Sequence, residues 1–69
     1  MTDLTHLLRG RFRALPHGLV FSIRQIGARA VIVYDEQERK ERSIPRVAIE
    51  IALRRRKLVY LGMERRRSA

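Results

Sequence analysis

Four consecutive cations, Arg54, Arg55, Arg56 and Lys57, separate an apolar run from a β-rich run in "ALRRRKLVYLG", residues 52–62. A guanidinium offers a planar fork of donors that matches a phosphate or the edge of a guanine. One or two cations in the last turn of a helix are accounted for by its dipole. Four in a row, at about 100° per residue, spread over more than half of the helix circumference. They cannot all face one phosphate track, yet the rest of the chain favours a polyanion contact over a merely solvated helix end.

The net charge is +9, and fourteen of the sixteen cations are arginine. Arg65, Arg66 and Arg67 follow the last β-rich run, Arg9, Arg11 and Arg13 occupy the first segment, and Arg24 and Arg29 flank an expected hairpin tip. Four of the seven acids, Asp35, Glu36, Glu38 and Glu41, fall in one short stretch, so residues 35–42 net −1 and the remainder carries +10. Charge placed only for solubility is interspersed. Segregated charge builds a field that steers and holds a polyanion. Affinity from such a field comes mainly from counterion release and falls steeply with salt.

The expected nucleic-acid-binding residues are therefore Arg54, Arg55, Arg56, Lys57, Arg65, Arg66 and Arg67 on phosphates. Arg24 and Arg29, or Thr5, Arg9 and Arg13, are the candidate groove probes. Phe12 and Phe21 lie on apolar faces and read as core, while Tyr34 and Tyr60 read as core rims more readily than as stacking platforms. With so few aromatics, double-stranded nucleic acid fits better than single strands, which are held by base stacking.

Catalysis is not expected, because no nucleophile, base or metal cluster is legible. His6 and His17 cannot fill a four-ligand site without carboxylates, and no cysteine is present. No calcium-loop or phosphate-cradling glycine pattern occurs, and no cofactor is expected. The rival reading is a small inhibitor or adaptor, of the kind found in phage and plasmid systems, that docks its basic face on a larger protein or nucleoprotein machine. The acidic loop 35–41 would then be a second contact or a specificity element. Ribosome association is a further reading, and no membrane partner is expected.

Several elements must position these residues. Leu4, Leu7, Leu8, Phe12 and Leu15 at helical spacing predict a helix over residues 3–15, stopped by Pro16 and Gly18. Gly10 weakens its middle by about 1 kcal/mol. "LVFSIRQ" (19–25) and "RAVIVY" (29–34) predict a hairpin. "DEQERKERSIP" reads as a tight turn around residues 37–39 followed by a third strand at 40–44, in preference to a long loop that ends in Ser43 as a helix cap. "RVAIEIALRRRK" predicts a second helix, apolar enough to be buried on more than one side. "LVYLGM" (58–63) reads as a short strand returning to a sheet edge. "VIVYDEQERKERSIPRVAI" has the look of a small β-barrel meander running into a helix, but no family's motif is matched closely enough to carry a residue across.

The expected fold is α+β: an N-terminal helix, a two- or three-stranded antiparallel meander, an apolar second helix and a short C-terminal strand. It would form one domain over residues 1–63, with 64–69 as a basic flexible tail. Sixty-nine residues make one small core. Without disulfides, self-association is the expected reinforcement, so a homodimer is favoured. No apolar run reaches membrane-spanning length, the start lacks a secretory pattern, and a cytoplasmic location is expected.

Overall fold

The computed structural model describes residues 4–64. A single 3-10 turn, Thr5–Leu7, leads into a five-stranded antiparallel sheet: β1 (Gly10–Ala14), β2 (Leu19–Ile26), β3 (Ala30–Asp35), β4 (Lys40–Pro45) and β5 (Leu58–Met63). The one α-helix among the described residues, α1 (Arg46–Arg54), joins β4 to β5. The strand order is β4-β3-β2-β1-β5, so the chain meanders through four strands and the fifth returns beside the first.

The predicted helix over 3–15 is not formed, and this overturns the expected fold. Its second half is β1, where Gly10, Phe12 and Ala14 face the core and Arg11 and Arg13 face away. Close packing at Gly10 leaves no room for a side chain in this strand. A Cβ there would sit 2.9 Å from the Phe12 ring, 3.0 Å from the Leu7 carbonyl and 3.3 Å from Tyr60. Arg9, immediately before it, adopts a left-handed backbone (φ 63°) that no helix continues through.

The remaining elements follow their sequence signals more closely. Alternation in Leu19–Ile23 and in Val31–Asp35 sets Phe21, Ile23, Val31 and Val33 into one core with Leu4, Phe12 and Ile49. Each of these seven is at most 3% exposed. The β3–β4 connection is the expected tight turn, and β4 is the expected third strand. Ser43 lies within β4 and pairs with Ile32, so it caps nothing; Pro45 stands at the helix N-cap, without a side-chain cap. β5 returns to the sheet edge beside β1, with a bulge at Leu61.

The second helix is less buried than its composition implies. Ile49 alone is buried, with Ala52 and Leu53 half-buried, whereas Val47 and Ile51 are 59% and 42% exposed. With no first helix to pack against, α1 uses one narrow face. No helix among the described residues is long and apolar enough to cross a membrane.

Candidate nucleic-acid interface

The run Arg54–Lys57 is a helix ending with a defined geometry. The Arg56 N–H donates to the Leu53 carbonyl at 3.1 Å, and the Lys57 N–H donates to the Ala52 carbonyl at 2.8 Å. These are the two bonds of a Schellman ending, whose left-handed position is normally glycine. Here that position is Arg56, with φ 56°. The Lys57 carbonyl then accepts from the Leu15 N–H, which seats the turn beside the β1–β2 connection. All four side chains are exposed, and none forms an ion pair with a described residue.

Arg56 is not unique in its strain. Among the described residues, the non-glycine positions with positive φ are Arg9, Arg39 and Arg56. A non-glycine residue in this conformation costs about 1–2 kcal/mol. Local turn geometry would be served better by glycine or asparagine at each, so the backbone gives no reason for arginine.

Ion pairing sharpens the charge asymmetry. Arg11 meets Glu36 through two parallel hydrogen bonds of 2.8 and 2.9 Å, and the Ser22 hydroxyl donates to the same carboxylate at 3.3 Å. Arg11 holds the Glu36 carboxyl below the usual carboxylate range. Asp35 is fully buried at the end of β3. It accepts from the Glu38 and Gln37 backbone N–H groups and from Arg42 Nε at 2.8 Å. The Glu38 N–H bond is the largest of the effects that lower its pKa, and the Arg42 and Gln37 bonds act in the same direction. Arg24 pairs with Glu64 at 2.6 Å, and Arg46 with Glu50 at 3.6 Å. Glu38 and Glu41 are left as the described acids without an ion pair, against the whole run Arg54–Lys57 and Arg9, Arg13, Arg29, Arg39 and Lys40.

The expected site residues do not form one cluster. Antiparallel topology places Arg54–Lys57 and Arg39 at the end of the sheet that holds the β1–β2 and β3–β4 turns, with Arg13 one residue from that end of β1. Arg9 and Arg29 lie at the opposite end, a strand length away, roughly 15–20 Å. Arg29 does occupy the hairpin tip. Arg24 does not: it is the extra residue of a bulge in β2, its guanidinium 4.9 Å from the centre of the Tyr34 ring. The groove probe assigned to a first helix, through Thr5, Arg9 and Arg13, has no helix to carry it. Arg65, Arg66 and Arg67 lie outside the described residues.

Sequence reasoning missed the outer face of the sheet as a place of its own. Arg11, Ser22, Arg24, Tyr34, Glu36 and Arg39 surround a shallow concavity of about 510 Å³. The alternation in "RFR" was the available signal for Arg11, and it was masked by the leucine spacing before it. No three of His, Asp and Glu come together at metal-binding distance among the described residues. Comparison with family models, curated proteins and solved structures yields no match to this chain.

Proposed function

We propose that the protein is a small accessory or regulatory factor that binds double-stranded nucleic acid, with DNA favoured, through the cations of the α1–β5 turn. One observation carries the reading. Ion pairs consume most of the described acids and leave Arg54, Arg55, Arg56 and Lys57 exposed, with no carboxylate partner among the described residues. An anion from outside the chain is the partner that such a turn fits. The left-handed arginine at its apex adds support, because strain kept against the local optimum points to use of the side chain.

Phosphate contacts position a protein on a duplex without reading its sequence. Arg54–Lys57 take that role, with Arg39 and Arg13 toward the same end of the sheet. Arg29, on the β2–β3 tip at the other end, is the remaining candidate for reaching into a groove. Arg24 is already met by Glu64 and Tyr34 and takes no direct part. The test is the double charge reversal Arg55→Glu with Arg56→Glu, assayed for duplex binding after circular dichroism shows the sheet intact. Binding is expected to fall at least tenfold; unchanged binding by a folded variant removes this turn from the proposal.

One observation favours the rival reading. Val47 and Ile51 form an exposed apolar edge on α1, as a helix that docks on another protein would carry. In that reading the basic turn meets an acidic protein surface, and duplex nucleic acid does not bind.

A further inference from the structure

The two edges of the sheet are guarded unequally. β4, "KERSIP", presents Lys40, Glu41 and Arg42 and ends in Pro45, all of them features that discourage another strand from pairing. β5, "LVYLGM", has neither charge nor proline and is bounded by Lys57 and Glu64. Tyr60 and Met63 on it are 55% and 54% exposed. An uncharged apolar edge is a template for strand addition.

The register of β5 determines what fits. The Lys57 carbonyl accepts from Leu15 and the Glu64 N–H donates to Arg9, so both ends of the strand turn their backbone bonds toward β1. Strand alternation, with one residue absorbed by the bulge at Leu61, then turns the backbone groups of Leu58, Tyr60 and Met63 outward. Without the bulge, Lys57 and Glu64 would have opposite parity. With it, the outward edge is self-complementary about Tyr60: a second copy running antiparallel sets Tyr60 against Tyr60, Leu58 against Met63, and Lys57 against Glu64. Opposite charges meet at both ends of the seam, and no like charges meet within it. The aromatic row on the core side also continues across. Phe21 lies 6.1 Å from Phe12, and Phe12 lies 5.4 Å from Tyr60, whose exposed ring ends the row in the monomer.

We propose that β5 is the seam of a homodimer, in which two copies pair antiparallel across a two-fold axis at Tyr60 and join their sheets into one of ten strands. The occupant of this edge is a second copy because the edge complements itself in backbone polarity, in apolar pattern and in terminal charge.

Light scattering of the full chain is expected to give twice the monomer mass, and Tyr60→Lys, which sets two ammonium groups face to face on the axis, to give the monomer mass with its circular dichroism retained. The chain contains no cysteine, so Tyr60→Cys supplies a second readout that stands even if the lysine variant fails to fold. Two copies of residue 60 across the axis lie within disulfide reach. Oxidation in dilute solution is therefore expected to give a covalent dimer for Tyr60→Cys and not for His17→Cys. A monomeric wild type, a dimer that survives a folded Tyr60→Lys, or equal cross-linking of the two cysteine variants would overturn the proposal. None of these readouts involves nucleic acid, so its failure is distinguishable from failure of the binding function.

Discussion

Arg11 and Glu36, twenty-five residues apart, close a two-pronged ion pair across the outer face of the sheet, Nε to Oε2 at 2.8 Å and Nη2 to Oε1 at 2.9 Å. Its consequence is felt elsewhere. Together with the Arg42–Asp35, Arg24–Glu64 and Arg46–Glu50 pairs it occupies acids elsewhere and leaves the α1–β5 turn without an acidic partner among the described residues. The functional proposal rests on that division between cations used by the fold and cations left to solvent.

Arg56 separates the two roles most cleanly. Arg56→Gly relieves the left-handed strain and is expected to raise stability by up to about 1 kcal/mol. The same change is expected to weaken duplex binding severalfold. Urea denaturation and anisotropy on one preparation check both directions; a gain in stability with undiminished binding would make Arg56 a bystander.

Arg24 is expected to behave in the opposite way. Arg24→Ala removes the Glu64 pair and the cation over Tyr34, at a cost of about 0.5–1 kcal/mol in denaturation. Its effect on duplex affinity is expected to be smaller than that of Arg55→Ala measured alongside.

Gly10→Ala tests why the N-terminal segment is a strand. The added methyl meets the Phe12 ring, the Leu7 carbonyl and Tyr60 at 2.9–3.3 Å. Overpacking of this kind costs about 1–3 kcal/mol. A lowered melting temperature is expected, without any gain of helical signal in circular dichroism. A gain of helix would mean that glycine itself had been preventing the helix that the leucine spacing suggests.

Acid is expected to destabilise the fold in a definite window. The pKa values of Asp35 and Glu36 are both lowered by their partners in the folded chain. Their contribution is thus fully present above the ordinary carboxylate range, about 4, and is lost as pH falls through the lowered folded values. Denaturation midpoints should be flat near neutrality and should drop below about pH 4. Asp35→Asn keeps an oxygen for the Gln37 and Glu38 N–H groups but has no charge to lose, so its profile should be flatter at acid pH and lower at neutral pH.

The sequence made some of this fold legible and hid the rest for identifiable reasons. Alternating β-branched residues in Ala30–Asp35, the apolar run of α1 and the uncharged β5 are local signals, and each became the expected element. The N-terminal segment misled because Leu4, Leu7 and Leu8 keep helical spacing only through a 3-10 turn, after which β1 offers too few residues for its alternation to be distinct. What holds this segment as a strand is pairing with β2 and with β5, the latter far along the chain, which no local window contains. The charge excess was legible from composition. Which cations are spent on the fold was not, because Arg11 and Glu36 meet only when β1, β2 and β3 are assembled.

The most direct measurement is fluorescence anisotropy of a labelled random-sequence duplex titrated with the full chain across a salt series. Phosphate contacts by the four cations of the α1–β5 turn predict saturable binding whose log affinity falls by about 3–4 units per decade of salt. Absence of binding at low salt, or an affinity indifferent to salt, would contradict the account and turn the same cations toward an acidic protein surface.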